Sequence, residues 1–307
     1  MTRPLIVSAP GSLMLLGEHA VLHGHPCLVA AIDRRVRVSI APRNDGMVTI
    51  ASALGDYEGD RDDLPDHPSF RFAIGALRHI PDALPGGLDA LIEADMPPTI
   101  GFGTSAAVTA AMVAALYTST HGRLSLPEIF THARSVIQQV QGRGSGADAA
   151  ASVMGGIVHY QMGHDPGVIN KDIHPITALY CGYKTPTPAV IERVTNAWAG
   201  RDESRDRIYD AMSDTVESAR TALTASNAPA FGNALNRGQE LMAELGVSTP
   251  ELDQCVELLR GQPAISGAKI SGSGLGDCAV GWGKAKPSFS SFEQFDIVTS
   301  REGIRIE

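Results

Sequence analysis

The sequence predicts an α+β protein with two domains. The first 50 residues alternate runs of β-forming side chains with turn signals, a pattern typical of a meandering sheet. Later segments carry the helical spacing of apolar residues, and the second half ends with short strand-like runs. A length of 307 residues suits two moderate domains or one large one, and 43% apolar residues supply an ample core.

Strands are predicted at 5–8, 13–16, 27–32, 36–40 and 155–161, and helices at 70–80, 103–120 and 126–139. The polar, acidic stretch 56–66 is predicted to be a surface loop. The D-P-G turn at 165–167 is the predicted boundary between an N-terminal domain, residues 1–165, and a C-terminal domain, residues 166–307. The second half is predicted to contain helices at 187–198, 206–224, 228–245 and 249–260, and strands at 268–270, 278–281 and 303–306.

Charge and composition exclude several classes of partner. Lys and Arg number 25 against 34 Asp and Glu, and a net charge of -9 argues against binding to nucleic acid or anionic lipid. The four cysteines are scattered and form no C-x-x-C pair, so neither a disulfide framework nor a zinc site is indicated. Residues 1–19 lack a secretory pattern, and no apolar run is long enough for a membrane span. We expect a cytoplasmic protein with a small-molecule substrate and no nucleic-acid or membrane partner; the oligomeric state stays open, a homodimer included.

The most informative segment is the turn G-F-G-T-S-A-A at 101–107, which leads directly into an alanine-rich helix. Such a turn presents backbone N–H groups at the positive end of a helix dipole, a geometry suited to phosphate. Thr104 and Ser105 add hydroxyls that could bind Mg²⁺ or simply cap the helix. The segment alone leaves both interpretations open.

Two better-known phosphate motifs do not fit. The Walker pattern fails at G-K of 283–284, because Cys278 and Ala285 stand where a glycine and a hydroxyl residue belong. The G-x-G-x-x-A spacing at 101–106 imitates a dinucleotide fingerprint, but no acidic residue lies between Asp95 and Glu128 to bind a ribose. A Rossmann dehydrogenase is therefore disfavoured.

Two further glycine clusters follow. The segment Q-G-R-G-S-G-A-D at 141–148 presents Asp148 in a tight turn at a predicted helix start. That carboxylate could accept a hydroxyl proton or only cap the helix. The segment 267–280 predicts a strand, a glycine turn and a second strand, which alone could be a simple hairpin.

Together these clusters resemble the GHMP kinase superfamily. S-A-P-G-S at 8–12 with G-E-H-A-V at 17–21 is similar to the first motif in its mevalonate kinase form. Residues 101–107 resemble the second motif, usually G-L-G-S-S-A-A, and residues 267–278 resemble the third. The resemblance spans nearly the whole chain. It implies the two-domain GHMP kinase fold, with a ribosomal-protein-S5-like N-terminal domain and a ferredoxin-like C-terminal domain.

The resemblance also implies ATP and Mg²⁺ as cofactors and a role for each matching residue. The Ser105 hydroxyl would reach Mg²⁺, and Asp148 would lie beside the acceptor hydroxyl as base or orienting carboxylate. The implied nucleotide-binding residues are Gly101, Phe102, Gly103, Thr104, Ser105, Ala106 and Gly274. The implied acceptor-side residues are Glu18, His19, Ser145, Gly146 and Thr187. For His19, a structural hydrogen bond is the alternative.

Two departures from the family pattern stand out. Ser12 occupies a position where mevalonate kinases usually carry a catalytic Lys, so another cation must serve, and Lys184 or Arg143 is the hypothesised substitute. The family's Mg²⁺-binding Glu is expected before Gly142, but residues 137–139 are I-Q-Q. The metal would then be held mainly by ATP, Ser105 and water.

The expected activity is transfer of the ATP γ-phosphate to a hydroxyl of mevalonate, in isoprenoid precursor biosynthesis. Phosphomevalonate kinase is the runner-up, because the segment 141–151 resembles that family. A sugar kinase is possible, and a catalytically silent ligand-binding regulator is conceivable. The presence of Asp148 and of the glycine turn argues against the silent regulator.

Overall fold

The computed structural model describes residues 3–83, 85–97, 100–286 and 291–307, which form two sheets with eight α-helices. The strands are β1 (Leu5–Leu16), β2 (Cys27–Pro42), β3 (Met47–Ser52), β4 (Gly55–Asp60), β5 (Leu88–Ala94), β6 (Ile157–Tyr160), β7 (Gly167–Asn170), β8 (Pro175–Tyr180), β9 (Ala268–Ser271), β10 (Cys278–Trp282), β11 (Glu293–Val298) and β12 (Arg305–Ile306). The helices are α1 (Arg71–His79), α2 (Thr104–His121), α3 (Leu126–Gln141), α4 (Ala147–Met154), α5 (Thr187–Ala197), α6 (Asp202–Thr224), α7 (Ala228–Leu245) and α8 (Pro250–Arg260). The predicted α+β class is confirmed.

The first sheet has the order β12-β1-β2-β5-β3-β4, with β6 on the other half of β2 and β7 paired to β6. The second sheet is antiparallel with the order β11-β8-β10-β9, and α7 and α8 pack against it. Both β7 and β12 come after residue 165 and still belong to the first sheet. The division at residue 165 stays a prediction.

The four short strands predicted in the first 40 residues are two long strands, β1 and β2. Their pairing continues through Pro10, which lies opposite Arg35, and shifts register before Ser12. Pro10 and Gly11 were interpreted as a turn signal. Gly11 is instead required by the close approach of another segment. A Cβ at Gly11 would lie 2.4 Å from the carbonyl oxygen of Phe102, so glycine allows the 101–107 turn to approach β1 closely.

The prediction of a surface loop over 56–66 is wrong for its first part. β4 pairs with β3 in an antiparallel hairpin, and Tyr57 and Gly59 face inward while their neighbours face solvent. The polar residues belong to the outer face of an edge strand, which looks like a loop when only composition is considered. Strands β5, β7, β8 and β11 were not predicted either.

The alanine-rich helix α2 lies at the centre of the first core. It packs on β1 and β2 and against α1, α3 and α4, and its residues from Ala106 to Thr118 are buried almost without interruption. Alanine side chains let five elements approach the same helix closely. The helix begins next to β1, so its N-terminus is held in a fixed position against the first motif.

Within the described ranges, no helix combines the length and apolar character that crossing a bilayer requires.

Candidate active site

A cleft of about 780 Å³ brings together the motifs singled out in the sequence. It is lined by the first motif, the turn before α2, the turn before α4, the loop after β8 and the third glycine turn. The predicted residues that line it are Glu18, His19, Gly101, Gly103, Thr104, Ser105, Ala106, Ser145, Gly146, Asp148, Lys184 and Thr187. Three others, Ser12, Phe102 and Gly274, are not among its lining residues.

The turn before α2 is fixed against the first strand. Gly103 is the N-cap with φ +65, and a Cβ on it would lie 1.9 Å from the Ser12 hydroxyl oxygen. The Ser12 N–H donates to the Phe102 carbonyl at 3.0 Å, and the Phe102 ring is buried edge-on against Phe295. Position 103 requires glycine because its backbone is left-handed and because Ser12 leaves no room for a side chain. The first N–H groups of α2 have no partner within the helix, and the residues from Gly103 to Ala106 line the cleft.

The turn also carries two hydroxyls. Ser105 is exposed at the cleft, whereas the Thr104 hydroxyl is buried and has no hydrogen-bond partner among the described residues. Buried polar atoms are normally satisfied, so an unpartnered hydroxyl beside open N–H groups fits a site that a phosphate completes.

Asp148 lies in the first turn of α4, whose N-cap is Gly146 with φ +88. The Ser12 hydroxyl donates to Asp148 Oδ1 at 2.8 Å. Burial raises the pKa of Asp148, and the opposing effects are the Ser12 hydrogen bond and the positive charge of Lys184. A carboxylate with a raised pKa in a cleft is typical of an acid/base group.

The turn before Asp148 is fixed by contacts with Tyr160 and Arg134. Tyr160 donates its hydroxyl hydrogen to the Ser145 carbonyl at 2.7 Å, and the Ser145 hydroxyl accepts from the Ala147 N–H at 3.2 Å. A Cβ on Gly146 would lie 3.0 Å from the side chain of Arg134. The S-G-A-D turn is therefore packed on one side, and Ser145, Gly146 and Asp148 line the cleft.

The two candidate cations differ in their surroundings. Lys184 follows β8, and its Nζ lies 3.0 Å from Oδ2 of Asp277, while its charge also acts on Asp148. Arg143 is exposed at the cleft rim. Thr187 begins α5 and is exposed at the cleft.

The first motif contacts the third through Glu18 and His19. Glu18 is buried and forms an ion pair with Lys269, which is fully buried and also donates to the Ile270 carbonyl. His19 Nε2 hydrogen-bonds the Ser273 carbonyl at 2.8 Å, and burial lowers the pKa of this imidazole. The imidazole therefore joins the first motif to the third. This contact is a structural hydrogen bond of the kind that the sequence analysis named as the alternative to substrate binding by His19.

Gly274 supports the third turn from outside the cleft. Its φ is +83, and a Cβ on it would lie 2.4 Å from the Val247 carbonyl oxygen, which accepts the Leu275 N–H at 2.8 Å. Sequence reasoning missed Lys269 and Asp277 as parts of this site. A lysine inside the short apolar strand β9 was the available signal for Lys269.

A bound metal would find few protein ligands here. No group of three or more His, Cys, Asp or Glu residues in the described ranges could hold a metal ion. The oxygen donors that line the cleft there include the Ser105 hydroxyl and the carboxylates of Asp148 and Asp277, and the Asp277 carboxylate is already paired with Gly101 and Lys184. These donors fit a cation whose remaining ligands are phosphate oxygens and water.

Comparison with known proteins agrees with this geometry. The chain matches the family "GHMP kinases N terminal domain" over residues 71–156, "GHMP kinases C terminal" over 219–290 and "Galactokinase galactose-binding signature" over 2–42. It is 32% identical to the mevalonate kinase of Archaeoglobus fulgidus, covering 99% of this chain and 100% of that protein, and 30% identical to that of Aeropyrum pernix, covering 100% and 99%. The crystal structure of Methanococcus jannaschii mevalonate kinase superposes with a TM-score of 0.80 at 20% identity, covering 96% of this chain and 98% of that one. The chain belongs to the GHMP kinase family.

Proposed function

We propose that this chain is a kinase that transfers the γ-phosphate of ATP to mevalonate. Three relatives named mevalonate kinase match it at 30 to 32% identity over 88 to 100% of their length. The structural observation that carries the proposal is the Asp148 carboxylate, held by Ser12 in the same cleft as the open N-terminus of α2. A positioned carboxylate beside a phosphate-binding helix start is the minimum that phosphoryl transfer to an alcohol needs.

The nucleotide phosphates would bind at the start of α2. The N–H groups of Gly103, Thr104 and Ser105 lie at the positive end of the helix, and the buried Thr104 hydroxyl beside them has no hydrogen-bond partner among the described residues. Mg²⁺, when bound, would neutralise charge on the phosphates, and Ser105 is the residue that would hold it from this side. The N–H of Gly101 already donates to Asp277, so this residue contributes to the shape of the turn.

Asp148 would accept the proton of the acceptor hydroxyl. A bond forms between the acceptor oxygen and the γ-phosphorus, the bond to the bridging oxygen breaks, and ADP leaves with that electron pair. Asp148 must be ionised to accept the proton, and both Ser12 and Lys184 favour its ionised form against the effect of burial. Ser12 thus orients the base, although it cannot supply the charge of the lysine that the family usually has.

Lys184 would supply that charge. Of the two hypothesised cations, it is the one whose charge acts on Asp148 and whose ammonium is held by a second carboxylate. We therefore assign stabilisation of the transferring phosphoryl group to Lys184 in preference to Arg143. The acceptor would lie against Glu18, His19, Ser145, Gly146 and Thr187, which line the cleft around Asp148.

The proposal includes a cytoplasmic location and a small-molecule substrate. The net charge of -9 gives no general attraction for nucleic acid, and the division into domains at residue 165 is retained as part of the proposal.

An ADP-release assay on the purified chain tests the proposal. ATP is supplied with mevalonate, phosphomevalonate or galactose, each with and without Mg²⁺; galactose is included because of the match over residues 2–42. We expect mevalonate to give the highest kcat/KM, in a reaction that requires Mg²⁺. A higher value with phosphomevalonate or galactose, or no ADP with any acceptor, would contradict it.

A further inference from the structure

Asp277, in the third glycine turn, contacts two other groups that line the cleft. Its Oδ1 accepts the N–H of Gly101 at 2.7 Å, and its Oδ2 lies 3.0 Å from Nζ of Lys184. The side chain is 16% exposed. One carboxylate therefore joins the turn before α2, the third motif and the loop that carries Lys184.

The backbone around Asp277 is constrained at the same time. Its φ is +76, a left-handed conformation that aspartate tolerates better than most residues. Its N–H donates to the Tyr183 carbonyl at 2.7 Å, and its carbonyl accepts the Cys181 N–H at 2.9 Å. Left-handed non-glycine residues cluster at functional sites, where surrounding contacts hold them in place. Here those contacts fix the position of the Asp277 carboxylate relative to Tyr183, the residue just before Lys184.

The main effect of this arrangement is to order the Lys184 side chain. Its side chain is 39% exposed, and Asp277 is its ion-pair partner among the described residues. A lysine at such a position normally samples many rotamers, and ordering it costs side-chain entropy. The pair with Asp277 orders the ammonium before any ligand arrives, and its charge still reaches Asp148.

We infer that Asp277 is a positioning residue for phosphoryl transfer, which anchors the turn before α2 through Gly101 and holds the Lys184 ammonium between that turn and Asp148. The inference rests on the proposed function, since it gives Lys184 its place in that reaction. Asp277 does not touch the reacting atoms. It acts through Lys184, and its contribution is therefore to kcat rather than to the binding of ATP.

The test is Asp277→Asn, with Asp296→Asn as the matched control. Asparagine keeps an oxygen for the Gly101 N–H and tolerates a left-handed φ, so mainly the charge is lost. Asp296 pairs with Lys284 on the surface of the second sheet, away from the cleft. We expect kcat to fall about tenfold in Asp277→Asn, with KM for ATP changed less than about threefold, and no change in the control.

A double-mutant cycle with Lys184→Met separates positioning from a merely structural role. If Asp277 acts through Lys184, the double variant loses about the same hundredfold as Lys184→Met alone. Independent structural damage would instead multiply the two losses to about a thousandfold. The multiplied loss would overturn the inference. So would tighter ATP binding at unchanged kcat in Asp277→Asn, which would mean that the carboxylate only competes with phosphate.

Asp277→Gly is the second variant, because glycine adopts φ +76 without strain and so removes the carboxylate at no backbone cost should the Asn variant fail to fold. The same loss of kcat is expected, and full activity in Asp277→Gly would refute the inference. The cycle uses whichever acceptor the wild-type chain phosphorylates fastest. Failure of mevalonate as acceptor then overturns the proposed function and leaves the comparison of variants intact.

Discussion

Ser12 on β1 donates its hydroxyl hydrogen to Asp148 in the first turn of α4, across 2.8 Å and 136 residues of sequence. The same hydroxyl oxygen lies where a Cβ on Gly103 would be. One side chain therefore orients the candidate base and sets how closely the turn before α2 can pack. Where the family usually carries a lysine, this chain has a neutral hydrogen-bond donor at the junction of three motifs.

Replacing Asp148 by asparagine should abolish most activity without harming the fold. We expect turnover to fall at least about a hundredfold, the usual scale for a positioned acid/base group, with ATP affinity preserved. Calorimetric titration with ATP and steady-state kinetics check both parts. Normal turnover in Asp148→Asn would remove this residue from the mechanism.

The same variant should not be less stable than wild type at pH 7. Burial raises the folded-state pKa of Asp148, so the native state binds this proton more tightly than the unfolded chain does. Ionisation at neutral pH then costs stability, a cost that disappears as pH falls below the unfolded value near 3.8. We expect Asp148→Asn to have an equal or higher Tm at pH 7, with the difference shrinking on acidification. A lower Tm at pH 7 would show that the carboxylate is stabilised by its surroundings.

Ser12→Ala should move the acidic limb of the pH profile of kcat. The Ser12 hydrogen bond lowers the pKa of Asp148, so its removal raises that pKa further. The base is then protonated at a higher pH, and activity should be lost earlier as pH falls. Ser119→Ala is the control, since its hydroxyl bonds the Leu116 carbonyl near the other end of α2. If the acidic limb of the pH profile does not move in Ser12→Ala, Ser12 has no influence on the pKa of the base.

Gly103→Ala and Gly122→Ala form a matched pair at the two ends of α2. Both glycines have left-handed φ values, +65 and +67, so both substitutions carry a similar backbone cost of about 1 kcal/mol. A Cβ at Gly122 meets nothing within 4 Å, whereas at Gly103 it meets Ser12. We expect a larger loss of Tm in Gly103→Ala than in Gly122→Ala, and a loss of ATP binding and turnover in Gly103→Ala alone. Equal activities would show that the packing of the turn on Ser12 does not matter.

Lys184→Met should lower kcat about a hundredfold, the scale of removing one preorganised charge from a transition state. Arg143→Ala is the comparison, because Arg143 lines the same cleft at its exposed rim. We expect that variant to keep kcat within about fivefold of wild type. Steady-state kinetics on both variants distinguish the two cations, and near-normal rates in Lys184→Met would exclude it as the replacement.

Lys269→Met tests the buried pair that joins the first and third motifs. Removal of Lys269 leaves the Glu18 carboxylate buried without its partner, at a cost of about 3 kcal/mol or more in the free energy of unfolding. Lys284→Met removes a surface ion pair and should cost less than about 1 kcal/mol. Denaturant unfolding of both variants provides the measurement. Equal stability would mean that the buried pair of Glu18 and Lys269 contributes no more to stability than the surface pair.

Local sequence predicted the parts of this fold that depend on short-range pattern. The helices α2, α3, α7 and α8 were placed within about two residues, because their apolar spacing, small residues and capping signals are local. The hairpin of β3 and β4 was missed because an edge strand exposes its polar face. Lys269 and Asp277 were missed for a different reason. Their partners, Glu18 and Gly101, lie 251 and 176 residues away, and no local pattern reports such a contact.

The central claim is that Asp148 and the start of α2 together transfer a phosphoryl group from ATP to mevalonate. Phosphorus NMR of the product tests it most directly. With wild-type chain, ATP, Mg²⁺ and mevalonate, we expect a new phosphomonoester resonance split by two CH₂ protons, as attachment to the primary hydroxyl requires. With Asp148→Asn we expect that resonance to grow at least about a hundredfold more slowly. Absence of that product with wild-type chain, while ATP is consumed with another acceptor, would contradict the account.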